Sequence, residues 1–257
     1  MCSTCGCDSD SQVILTKPGE EHKHVHSHGH SHEHHHHEHS REVQLEIDVL
    51  QANNLMAERN RGYFEAKNIF AVNLVSSPGS GKTTLLEKTT QALNGQSLYV
   101  IEGDQYSLAD ANRIHKTGTP VIQVNTGKGC HLDAEMVHQA ISELNPDPNS
   151  TLIIENVGNL VCPALFDLGE THRVVMMSVT EGEDKPLKYP DMFATSQVCI
   201  INKIDLLPYL DFNLEKAKEY ALQVNPNLRF IEVSAIKDSQ LTEWIEWLSH
   251  HQLSHAH

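Results

Sequence analysis

The sequence predicts an α/β fold: a mostly parallel central sheet flanked by helices and preceded by a disordered Cys/His-rich metal-binding tail. Three observations lead there. Short runs rich in Val, Ile and Leu alternate with helical patterns, as in a parallel sheet buried on both faces. The stretch NLVSSPGSGKTTLL at 73–86 places an apolar run, small residues, Gly-Lys-Thr and a helical pattern in the order a P-loop requires. Ahead of both, residues 1–40 hold closely spaced cysteines and a histidine tract with almost nothing apolar.

The chain opens MCSTCGCDSD, so Cys2, Cys5 and Cys7 stand in C-x-x-C-x-C spacing beside the α-amino group. Three thiolates and an amine suit a square-planar nickel site, although C-x-x-C also occurs as a redox motif. Eleven of the 19 histidines follow within 22–39: His22, His24, His26, His28, His30, His32, His34, His35, His36, His37 and His39. Their longest unbroken run is four, and the interruptions favour a natural metal-storing tract over a purification tag. His255 and His257 end the chain in a second, short tail at 251–257.

The formal net charge is −15 with His neutral, which argues against nucleic acid as a partner. No apolar run is long enough to span a membrane, and no secretory signal core is evident. A cytoplasmic location is therefore the expectation, with the six cysteines serving as thiols, metal ligands or core residues rather than disulfides.

Residues 41–66 have helical spacing of apolar residues and are read as amphipathic helix packing on the domain at 67–250. Within that domain, strands are expected at 69–75, 97–104, 121–127, 151–158, 173–181, 197–205 and 229–235. Ligands of such folds bind beyond the strands' C-terminal ends. The polar clusters lie at these ends.

In the P-loop, Ser77, Gly79, Ser80, Gly81, Lys82, Thr83 and Thr84 are the residues read as holding the nucleotide. Lys82 reaches the β/γ-phosphates and the Thr83 hydroxyl ligates Mg²⁺, while Ser76 occupies the position usually held by the first Gly. Asn202-Lys203-Ile204-Asp205 selects guanine. A carboxylate at Asp205 accepts both N1–H and the exocyclic amine, a donor pair adenine lacks. Asn202 is read at the base edge, Lys203 along the ring, and Ser234-Ala235 as the remaining guanine loop. Glu155-x-x-Gly158 has the form of a switch that senses the γ-phosphate. Glu155 and Asp104 are the acids proposed for Mg²⁺ and catalysis alongside Lys82, with Glu102 and Asp110 as weaker candidates.

A second cluster lies in the same domain. Cys130 and His131 follow the third strand, and Cys162 stands four residues after Gly158. Together they offer three N/S ligands for nickel or zinc, with the fourth position open to water, an acid or a second subunit. Cys199 is read as core, and His115, His138 and His172 as structural.

MCSTCGC, the His tract, SSPGSGKTTLL, EGD, NTGKGCHLD, IENVGNLVCP and NKID together resemble the HypB family of hydrogenase nickel-incorporation GTPases, from the Cys-rich start to the last helix. The resemblance implies a SIMIBI-type P-loop NTPase that hydrolyses GTP to GDP with Mg²⁺. It also implies a homodimer promoted by GTP, a small zinc-containing nickel chaperone as partner, and nickel delivery to the large-subunit precursor of [NiFe]-hydrogenase. It assigns an N-terminal nickel motif to Cys2, Cys5 and Cys7, and an interfacial metal site to Cys130, His131 and Cys162. The alternatives are a nickel buffer or a urease-type nickel-insertion GTPase.

Overall fold

Each apolar run read from the sequence forms a strand, because β-branched residues suit a pleated surface covered on both sides. The computed structural model describes residues 14–16, 38–104, 108–127, 129–237 and 240–254, with backbone alone at 14–16, 38–46 and 253–254. In chain order the strands are β1 (Ile14–Thr16), β2 (Phe70–Ser76), β3 (Leu98–Asp104), β4 (Val121–Asn125), β5 (Thr151–Glu155), β6 (His172–Ser178), β7 (Val198–Asn202) and β8 (Arg229–Glu232). They form one sheet in the order β1-β4-β3-β5-β2-β6-β7-β8. Only β1 is antiparallel, with Ile14 opposite Asn125. This strand lies within the stretch read as tail; Cys2, Cys5, Cys7 and the histidines at 22–37 lie outside the described residues, as do His255 and His257.

The helices are α1 (Glu38–Lys67), α2 (Lys82–Ala92), α3 (Ala109–His115), α4 (Ala134–Leu144), α5 (Cys162–Leu165), α6 (Lys185–Lys188), α7 (Pro190–Ala194), α8 (Leu214–Val224) and α9 (Thr242–Ser254). Strand alternation divides the core. Phe70, Val72 and Leu74 of β2 face Leu85, Ile114, Trp244 and Trp247 of α2, α3 and α9. On the opposite face, Ala71, Ile101 and Ile154 meet Phe64, Val137 and Ile141 of α1 and α4. Beyond β2, Val175, Met177, Cys199 and Ile201 pack on α7 and α8. Cys199 is fully buried, and burial pushes its thiol well above the usual range, as suits a core residue.

The segment read as amphipathic helix is one continuous helix, α1, starting at Glu38. It docks partly through buried amides. Asn53 donates to Asp167 O and accepts from Ala134 N, while Asn60 donates to Ala134 O and Leu168 O. Leu55 stays 77% exposed, so apolar spacing misjudged which side is covered. His138 Nδ1 lies 3.0 Å from Asn60 Oδ1. Among the described residues, no helix is long and apolar enough to cross a membrane.

Trp244 is 1% exposed, stacks on Trp247 and donates from Nε1 to Thr89 Oγ1 at 2.8 Å. Trp244→Ala removes the largest side chain under the α2–α9 face and leaves that hydroxyl without its donor. The expected loss is about 3–5 kcal/mol, measured as a fall in urea midpoint.

Candidate functional site

β2 enters the P-loop at the middle of the sheet, and α2 leaves it at Lys82. Gly79 and Gly81 have φ of 75° and 100°, a left-handed backbone that favours glycine. At Gly81 a Cβ would also come within 2.6 Å of Asn202 Nδ2. Ser76 explains its own departure from the usual pattern. Its buried hydroxyl accepts from Lys82 Nζ at 2.8 Å and from Ser80 Oγ, and donates to Ser77 O at 2.7 Å. The hydroxyl thus gives the buried lysine a partner within the loop. Burial pulls the Lys82 ammonium below its usual value, opposed by Glu155.

The loop borders a cleft of about 640 Å³ that also includes Thr83, Thr84, Glu102, Asp104, Asp110, Arg113, Glu155, Gly158 and Lys203. Thr83 Oγ1 donates to Glu155 Oε1 at 2.8 Å. Gly158 returns the β5 segment to the loop, where a Cβ would sit 3.1 Å from Pro78 Cα. The expected meeting of Lys82, Thr83, Asp104, Glu155 and Gly158 is therefore seen in one cleft.

Glu102, a weaker candidate by sequence, is placed at the centre by register. It lies opposite Glu155 on paired parallel strands. Burial first, then Glu155, Asp104 and Asp110, push its carboxyl up to about 9. Burial pushes Glu155 up to about 7, with Lys82 and Thr83 opposing. Oε2 of each acid is buried with no hydrogen-bond partner among the described residues. Two unsatisfied carboxylate oxygens beside a threonine hydroxyl are a donor set that fits a hard divalent cation.

At the end of β7, Asp205 Oδ1 accepts from Ser234 Oγ, which orients the carboxylate. Asn202, expected at the base edge, also has partners within the protein. It is 1% exposed, donating to Ser80 O at 2.8 Å and accepting from Ala235 N at 3.0 Å, so it braces the P-loop against the following loop. Lys203, itself left-handed at φ 63°, donates to Gly79 O at 2.8 Å. Two further residues escaped the sequence reading. Glu181 accepts from Ser77 Oγ and Ser178 N and pairs with Lys185. Arg113 lines the cleft while pairing with Glu87 at 2.7 Å and Asp110 at 3.3 Å. Neither lies in a motif, and both meet the loop through tertiary packing alone.

Beside the cleft, the ligand atoms of Cys130, His131 and Cys162 lie within 4.8 Å of one another. Cys130 Sγ is 3.8 Å from His131 Nδ1, and the His131 ring stacks on Phe166 at 4.0 Å. Burial holds the imidazole below its usual value, opposed by Asp133, which favours the neutral form that binds metals. Cys162 begins α5, flanked by Val161 and Leu165 at 50% and 55% exposure. The side chain of His39, in α1, lies outside the described residues.

The nucleotide-binding domain of the CobW/HypB/UreG family matches residues 70–232, so the fold and site define a P-loop nucleotide-binding protein of that class. The hydrogenase maturation factor HypB of Escherichia coli (strain K12) is 57% identical over 207 residues, spanning 80% of this chain and 71% of that protein. The chain belongs to the HypB family of hydrogenase maturation factors. The crystal structure of HypB from Helicobacter pylori in complex with nickel is similar at TM-score 0.74 and 34% identity, covering 79% of this chain and 96% of that one. HypB from Archaeoglobus fulgidus gives 0.73 and 38%, covering 79% and 99%.

Glu102 and Glu155 hold protons more tightly folded than unfolded. Their contribution to stability is full below about pH 4.5 and is lost as pH rises through about 7 and about 9. Glu102→Gln is expected to raise the nucleotide-free protein's stability at pH 8 by more than about 1.4 kcal/mol, the worth of one pH unit. Near pH 4.5 the variant and the parent should match in denaturant titrations.

Proposed function

We propose that the protein is a GTP-hydrolysing nickel metallochaperone of hydrogenase maturation, its nickel held at Cys130, His131 and Cys162 with an affinity set by the bound nucleotide. One observation carries the reading: Cys162 stands four residues beyond Gly158, on the segment that packs against Pro78 of the P-loop. A segment that moves to meet a γ-phosphate must move a ligand so close behind it.

In this reading Lys82 leaves Ser76 for the β/γ-phosphates, and the N–H groups of Gly79–Thr84 surround the phosphate oxygens. Asp205, oriented by Ser234, accepts from guanine N1–H and the exocyclic amine. Thr83, Glu155 and Asp104 would hold Mg²⁺, with Glu102 behind them. Bound there, Mg²⁺ would neutralise charge developing on the transferred phosphoryl group. Asp104 and Glu155 position the attacking water, and Gly158 closes the cleft. Hydrolysis then releases the segment and, with it, Cys162.

Thiolates and imidazole suit nickel and zinc, and zinc is the competing occupant. Val161 and Leu165 beside Cys162 support a GTP-promoted homodimer that completes the metal's coordination. A small zinc-containing nickel chaperone and the hydrogenase large-subunit precursor are the proposed partners in the cytoplasm. Extra nickel is stored on the His tract, and Cys2, Cys5 and Cys7 form a separate nickel site.

Two measurements test this. Asp205→Asn exchanges an acceptor for a donor, so GTP affinity should fall at least about tenfold, roughly 1.4 kcal/mol. Xanthosine triphosphate, with a carbonyl in place of the amine, should bind the variant better than the parent. Second, Ni²⁺ bound by the full-length protein at fixed free metal is compared with GDP and with a non-hydrolysable GTP analogue. A difference of about tenfold in affinity that Cys162→Ala removes is the expected result. Equal affinities would reject switching at this site.

A further inference from the structure

Two asparagines join the phosphate-facing segment to the loop carrying the other two metal ligands. Asn156, 1% exposed, is fastened to β2 twice: its backbone N donates to Leu74 O at 3.0 Å, and its Nδ2 to Asn73 Oδ1 at 3.3 Å. Its Oδ1 accepts from Val157 N at 2.9 Å and from Leu132 N at 3.2 Å. Asn159 stands on the other side of Gly158. Its Nδ2 donates to Cys130 O at 3.3 Å, and its Oδ1 accepts from Val161 N at 2.9 Å. The two peptide groups gripped in this way, Cys130 O and Leu132 N, bracket His131.

The anchors differ in kind. Asn156 directly follows β5 and is tied to β2, strands buried along their whole length. Asn159 lies beyond the glycine that approaches the P-loop, next to Val161 and Cys162. We propose that Asn156 is a fixed pivot and Asn159 a lever. When the Gly158 segment shifts toward a γ-phosphate, Asn159 draws the Cys130 carbonyl while Leu132 stays tied to the sheet. The Cys130–His131 peptide turns between them, reorienting a thiolate and an imidazole together with the displaced Cys162. Both are positioning residues; neither touches metal or nucleotide. The inference rests on the nucleotide-coupled reading above and assigns its mechanical parts.

Coupling between two ligands is reciprocal, so it can be read from the nucleotide side on the full chain. Affinities for GDP and a non-hydrolysable GTP analogue are measured with and without Ni²⁺. The inner site's share is the part abolished by Cys162→Ala, which removes any contribution of nickel on the tails. The parent should show Ni²⁺ changing the GTP-analogue to GDP preference by about tenfold. In Asn159→Ala, partly exposed and so expected to fold, this factor should fall below about threefold. Nickel-free nucleotide affinities and the thiolate-to-nickel absorption band should persist. Asn156→Ala should reduce the factor in the same way where it folds. A parent-like factor in Asn159→Ala overturns the lever, and so does equal loss of nickel binding in both nucleotide states, which would mark a purely structural role. No nickel effect in the parent would instead overturn the coupled reading itself.

Discussion

Parallel pairing of β2 with β5 is the constraint on which the site depends. With Leu74 opposite Glu155, the strand that enters the P-loop and the strand that ends in Glu155 lie side by side. Thr83 can then donate to Glu155 across the start of α2, and Gly158 can return to Pro78, where a Cβ would be in tight contact. Everything after Glu155 inherits this placement, including Cys162. A displaced β5 would separate P-loop, acid and thiol at once.

The pairing of β5 with β3 on its other side concentrates acids where water is scarce. Glu102 and Glu155 stand opposite one another on β3 and β5, with Lys82 buried beside them. Like charges at opposed positions repel, and burial disfavours each ionised form. A pure stability criterion would replace them. Within the protein, Ser76 supplies a partner for Lys82.

The metal cluster is built on different physics. Its donors are polarisable sulfur and a buried imidazole kept neutral, with Phe166 fixing the ring plane. A hard-cation set and a soft-cation set thus lie on neighbouring loops. The single segment from Glu155 to Cys162 contributes to both. Buried amides rather than apolar packing join the loops, which gives directional contacts with defined geometry.

Local signals sufficed for much of this. Val/Ile-rich runs, the P-loop glycines and the NKID tetrapeptide are contiguous, so the seven parallel strands and the cleft at their ends could be read from the sequence. The Cys130, His131 and Cys162 grouping was also legible, because chemistry-bearing residues at strand ends of one parallel sheet must share one edge. Register was not. Strand pairing is a long-range choice, and only it makes Glu102 the partner of Glu155. The bracing role of Asn202, the approach of Glu181 and Arg113, and the grip of Asn156 and Asn159 on the Cys130 loop likewise need residues far apart in the chain to meet. Sequence determined which groups are present and at which strand end they emerge. Tertiary structure decided which of them touch, because hydrogen bonds and charge pairs act over a few ångströms that chain spacing does not encode.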